Sequence, residues 1–144
     1  MEKLMVTRFN NITWNEYLRW RERNNYTGSL YNTPTHIKEN IPYEIMIYVI
    51  EMKNDENKIM GIGKIKNLVV TKKKYTIYED RNYNRYTYKG NKRILREEIP
   101  TELLEKLEKR VFTTKKHLKR GQGIQQVTQD MMKEYLKDVA NLFI

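Results

Sequence analysis

Apolar positions along the chain follow two periods. In 12–25, ITWNEYLRWRERNN, Trp14, Tyr17 and Leu18 recur three and four residues apart, which predicts an amphipathic helix. Thr13 and Glu16 form a capping-box pattern at its start, with Ile12 and Tyr17 placed for a hydrophobic staple. Trp20 lies about 60° beyond Tyr17 at roughly 100° per residue, at the edge of the buried stripe. Residues 24–36 are polar and turn-rich and read as a loop. Residues 43–53, YEIMIYVIEMK, are apolar on both faces, as a central strand would be. The turn NDEN at 54–57 and a returning strand over 58–70 complete a hairpin. In 73–80 and 83–90, Tyr and Thr alternate with polar residues, predicting strands with one solvated face, and 92–96 adds a short strand. Helical spacing returns over 101–112 and over 128–144, the latter capped by Thr128.

This order predicts an α+β protein: a small curved antiparallel sheet with an N-terminal helix and two C-terminal helices. No repeat, proline-rich linker or low-complexity block divides the 144 residues, so residues 1–144 read as one domain with a core of its own.

Composition adds a partner class. The formal charge is +10, with 32% of residues charged and 39% apolar, which points toward a polyanion. A/T-rich codon usage would also enrich Lys, Asn, Ile and Tyr, but it does not explain local clustering. Cysteine is absent, so there is neither a disulfide framework nor a thiolate metal site. The longest strongly apolar run, 45–50, is far short of the roughly 20 residues of a membrane span, and the N-terminus carries no apolar signal region. An intracellular protein without a membrane partner is the expectation.

The densest charge lies in KKHLKRGQGIQQ. Lys115, Lys116, His117, Lys119 and Arg120 precede Gly121, Gln122 and Gly123, and no acid interrupts 109–129. Like charges repel, and phosphate relieves that cost while releasing counterions. The two glycines permit left-handed backbone and a nest of N–H groups for an anion. Tyr83 and Arg85 are expected on one strand face and Tyr86 with Tyr88 on the other, offering rings and a guanidinium to unpaired bases. Gly61 and Gly63 share a strand face, where a helix, a bend or a ligand would approach closely. MGIGK is not a phosphate loop, since it lacks the GxxxxGK[ST] spacing. Catalytic signals are sparse. His36 and His117 stand in unrelated contexts, and Glu51-Met52-Lys53 resembles half of a nuclease motif without its upstream acid. No cofactor or metal set is expected.

The hairpin at 44–67, returning as Gly61-Ile62-Gly63-Lys64-Ile65, resembles the central hairpin of the PUA-like superfamily, which includes EVE, YTH and ASCH domains. That resemblance implies a small curved barrel that binds RNA or a modified base, with Trp14 or Trp20 lining a pocket near Gly61 and Gly63. Tyr83-Asn84-Arg85-Tyr86 and the stretch from His117 to Ile124 also resemble proteins of large DNA viruses with A/T-rich genomes, which implies an origin but no activity. The resulting expectation is a non-catalytic domain binding RNA or single-stranded or modified DNA. The alternatives are a viral structural or interaction protein with a basic surface and, less favoured, a small nuclease.

Overall fold

The computed structural model describes residues 1–144. Seven strands and three helices run β1 (Glu2–Phe9), α1 (Asn11–Arg23), β2 (Ser29–Thr33), β3 (Met46–Lys53), β4 (Lys58–Lys66), β5 (Tyr86–Gly90), β6 (Lys92–Leu95), α2 (Thr101–Glu108), β7 (Gln125–Gln126) and α3 (Gln129–Asn141). A five-stranded sheet has the order β6-β4-β3-β1-β7, and β2 pairs with β5 in a separate ribbon. The α+β class holds, but the sheet is mixed and open rather than antiparallel or closed into a barrel. β1 lies parallel to β3, from Glu2 opposite Met46 to Phe9 opposite Lys53.

The sheet separates two layers of core. Leu4, Val6, Tyr48, Ile50 and Ile62 pack against Leu104, Leu107, Val111, Val139 and Phe143 of the C-terminal helical segments. Met5, Ile47, Val49 and Ile65 alternate onto the other face, beneath Trp14 and Tyr17 of α1 and Leu30, Tyr31 and Tyr88 of the ribbon. Each such side chain contributes about 1.5–3 kcal/mol by leaving water. This alternation makes β1 a central strand, although its short LMV run carries no clear period in the sequence.

Several local expectations shift. The α1 cap is Asn10, whose side chain accepts from Thr13 N–H, while Thr13 closes the box from the third helical position. Glu16 instead accepts from the backbone N–H of Glu79, and Ile12, 72% exposed, staples nothing. The loop expected at 24–36 contains the fully buried β2. Residues 73–80 form no strand. Asn84 accepts from the N–H groups of Ile77 and Tyr78 and donates to Tyr78 O, doing the work of a ladder with one side chain. Tyr83 sits on the 3-10 turn Arg81–Asn84, so it shares no strand face with Arg85. The hairpin β3–β4, the strand near 92–96 and the Thr128 cap lie where the pattern puts them.

Gly61 and Gly63 line no open pocket between them, because other groups occupy that space. A Cβ on Gly63 would overlap the Tyr31 hydroxyl and approach Ser29 Oγ to 2.6 Å. A Cβ on Gly61 would lie 2.8 Å from Ile94 O and 3.2 Å from Glu51 Oε1. The glycines therefore admit the ribbon and a buried pair. Glu51, fully buried, accepts from Arg93 at 2.6 and 2.8 Å and from the Tyr31 hydroxyl at 2.6 Å.

Candidate functional site

A cleft of about 220 Å³ opens beyond the carboxyl ends of β1 and β3, where parallel strands commonly present ligand sites. β1 turns into α1 through the single residue Asn10, so Thr7, Arg8, Phe9, Asn10 and Thr13 line one wall. The end of β2 supplies Tyr31, Asn32 and Thr33, and the β3–β4 turn supplies Asn54. Lys119, Gly121, Gln122 and Gly123 close the far side, with Tyr83 and Tyr78 completing it. No aspartate, glutamate or histidine lines the cleft.

Arg8 ties the basic loop to the sheet. Its Nε donates to Leu118 O at 2.6 Å, and one terminal nitrogen donates to Gln125 Oε1 at 2.8 Å. The other terminal nitrogen reaches Gly123 O at 3.4 Å. All three acceptors are neutral, and burial lowers the Arg8 pKa to about 10, so the guanidinium remains charged at neutral pH without a carboxylate. A guanidinium has five N–H groups, which leaves donors for a ligand. Asn54 links loop and sheet, with its N–H on Phe9 O and its amide on Lys119 O, both at 2.9 Å. Its buried Oδ1 has no hydrogen-bond partner. An unmet buried acceptor costs about 1–3 kcal/mol, and this one is closed off from solvent.

The two loop glycines have distinct reasons. Gly121 (φ 117°) and Gly123 (φ 71°) both occupy left-handed backbone. A Cβ on Gly121 would strike Gln125 Oε1, the oxygen that Arg8 holds, and one on Gly123 would come within 2.6 Å of Thr35 Oγ1. Backbone N–H groups of Arg120, Gly121, Gln122 and Gly123 donate to no protein acceptor. Tyr83, 37% exposed, stands edge-on to buried Tyr78 with ring centroids 6.1 Å apart. It is the exposed aromatic side chain of the cleft lining, since Phe9, Tyr31 and Tyr78 are buried.

The expected site residues divide among several places. Lys119, Gly121, Gln122, Gly123 and Tyr83 meet in the cleft. Lys115 and Lys116 line a separate hollow with Arg110, Thr128 and Asp130. Arg120 is exposed outside the cleft lining, and His117, half-buried, accepts from Lys119 N–H at 3.3 Å. Arg85 lies over the Tyr86 ring at 5.6 Å, and Tyr86 meets His36 edge-on. Trp14 is 4% exposed, packed on Phe9 and Tyr17, and Trp20 packs on Tyr26 and Tyr75. Neither tryptophan lines the cleft. The tyrosine row forms no continuous sheet-face platform, because Tyr75, Tyr78 and Tyr88 are buried. Arg8, Asn32 and Asn54 were missed by sequence reasoning; a lone arginine interrupting the LMVTRF run was the available signal.

Set beside known protein families, characterised proteins and solved structures, the chain matches none. Fold and cleft define its class: an α+β protein with a mixed five-stranded sheet and an acid-free, cationic cleft at the carboxyl ends of its parallel strands. No helix is long and apolar enough to cross a membrane.

Proposed function

We propose that the chain binds nucleic acid and seats one unstacked nucleotide in this cleft. The observation that carries the reading is a cleft lined by Arg8 and Lys119, beside a loop with free N–H groups and an exposed tyrosine ring, with no acid to repel phosphate. The phosphate would take Arg8, Lys119 and the glycine-loop N–H groups, and the base would lie on Tyr83. Gln122 offers its amide to base edges or sugar hydroxyls. Binding is favoured over turnover because the lining holds no histidine, aspartate or glutamate to act as general base. A tryptophan-lined pocket for a modified base is not part of this reading, since Trp14 and Trp20 are committed to packing.

The test is a salt titration of labelled oligouridylate by fluorescence anisotropy, with wild type, Tyr83→Ala and Lys119→Ala. A stacked base contributes about 1–3 kcal/mol, so Tyr83→Ala should weaken binding roughly 5- to 150-fold. Lys119→Ala should reduce the log–log salt slope by about 0.7. Equal binding by all three proteins, or none by wild type at low salt, refutes the cleft.

A further inference from the structure

Most of the excess positive charge lies away from the cleft, and part of it is gathered by a strand crossing. The β2–β5 ribbon meets the β4–β6 edge of the sheet at the end opposite the cleft. Ser29 accepts from Lys64 N–H at 3.1 Å and donates to Lys92 O, pinning β4 to β6 through the ribbon. Gly90, the ribbon partner of Ser29, lies against the Lys64 carbonyl so closely that no side chain fits. The crossing is therefore fixed by the Ser29 hydroxyl and by the close backbone approach at Gly90.

Around it runs a groove of about 510 Å³ lined by Lys64, Lys66, Lys89 and Lys92 with apolar Leu68 and Val70, and by no acid. None of these lysines has a carboxylate within ion-pair distance. The acid on a nearby strand, Glu2, is engaged by the Tyr48 hydroxyl. Two of the ammonium groups lie over rings, one on each face of the sheet. Lys64 sits 5.6 Å from the Tyr48 centroid. Lys89 lies over Tyr26 and Tyr75 and donates to the Tyr75 hydroxyl at 3.0 Å. Lys73, Lys74 and Arg85 carry the same acid-free character into an adjoining hollow that shares Val70. Like charges held together without counter-charge cost stability that an anion restores.

We propose that this groove carries the phosphate backbone of nucleotides flanking the one in the cleft, an inference that rests on the nucleic-acid reading above. The cleft and groove lie at the two ends of the ribbon, Thr33 opposite Tyr86 at one and Ser29 opposite Gly90 at the other. Four residue steps at about 3.3 Å span roughly 13 Å. That is about four nucleotides at 3.4 Å each along a duplex strand, and fewer along an extended one. Lysine ammonium groups suit phosphates as point charges, and the exposed Leu68 offers an apolar surface to sugars and bases.

The test uses the full chain and labelled oligouridylates from one to sixteen nucleotides. The log–log salt slope should stay small for the shortest probes and then rise by roughly 3, from four contacts at about 0.7 each. Lys64, Lys66, Lys89 and Lys92→Ala together should abolish that rise and leave single-nucleotide binding intact. Lys66→Ala with Lys92→Ala, which removes side chains that make no hydrogen bond, should halve it and guards against misfolding of the fourfold variant. A control of equal charge, Lys106, Lys109, Lys133 and Lys137→Ala, should keep the rise. A rise retained by the groove variants, an equal loss in the control, or equal displacement of probe by polyglutamate overturns the groove. If short probes bind in a Tyr83-dependent way while length has no effect, the groove falls and the cleft stands. If long probes show the groove-dependent rise but Tyr83→Ala changes nothing, the cleft falls instead. If no probe binds wild type, both fall.

Discussion

Arg93 and Arg8 both lay a guanidinium against the same mixed sheet, and their surroundings treat its charge in opposite ways. The Arg93 side chain is 5% exposed and forks onto the fully buried Glu51. Burial works against its charge, but the field and hydrogen bonds of Glu51 overcome that, and its pKa stands above the ordinary value. Arg8 is half-buried and has only neutral oxygen acceptors, so burial alone acts and draws its pKa down to about 10. The first arrangement is closed: each charge is matched by the other, and both side chains are shut away from solvent. The second keeps a fixed positive charge at the wall of a cleft. Buried charge by itself does not indicate a site; an unmatched one beside open space is what the proposed nucleotide cleft rests on. The same comparison moves Glu51 out of the candidate catalytic groups, since both its oxygens are occupied.

Breaking the closed pair is expected to have the largest effect. Glu51→Gln or Arg93→Met alone leaves the other group buried and unmatched, at about 3–5 kcal/mol. Replacing both, Glu51→Leu with Arg93→Met, should cost clearly less than the sum, because no uncompensated charge remains. Urea unfolding of the four proteins closes the double-mutant cycle. Single-variant losses below about 1 kcal/mol would mean the pair is not closed as described, and the contrast with Arg8 would fail.

The open cation gives a smaller change in stability and a larger one in binding. Arg8→Met removes three hydrogen bonds to neutral acceptors, two of them backbone carbonyls, and should cost about 1–2 kcal/mol in urea unfolding. Oligouridylate affinity should fall about tenfold with a slope loss near 0.7, while Arg8→Lys should keep the slope and lose part of the affinity. If Arg8→Met binds as wild type does, the unmatched charge has no ligand role.

How much of this was legible depended on whether a signal was local. The β3–β4 hairpin carries its own apolar runs and turn, and α3 carries its own cap, so both could be read directly. β1 has three consecutive apolar residues and becomes a strand only because β3 offers it a parallel edge. β2 looks polar because its Asn32, Thr33 and Ser29 are satisfied across the ribbon and by Asn84, Thr87, Lys92 and Thr35. The GQG loop was legible as a cluster, and the fold then split it: Lys119 and the glycine turn line the cleft, while Lys115 and Lys116 line a separate hollow with Arg110. Arg8 and the lysine groove depend on elements distant in sequence, and no window of adjacent residues contains them.

The smallest effect concerns alkaline pH, where the two surroundings should act with opposite sign. Tyr31 bonds Glu51, and its phenol pKa is raised well above 10.0, first by burial and then by the Glu51 charge. The unfolded chain therefore loses that proton first, and stability is complete below about pH 10 and falls above it. Arg8 has a folded pKa near 10 against 12.5 for the free group, so over that interval the unfolded chain holds more protons and stability rises with pH. One proton accounts for at most about 1.4 kcal/mol per pH unit, and partial exposure of Arg8 leaves a fraction of that. Urea midpoints between pH 9 and 11 should thus decline less steeply in Tyr31→Phe than in wild type, and more steeply in Arg8→Met. Parallel curves for all three proteins would show that the two guanidinium environments do not differ in the way their hydrogen-bond partners indicate.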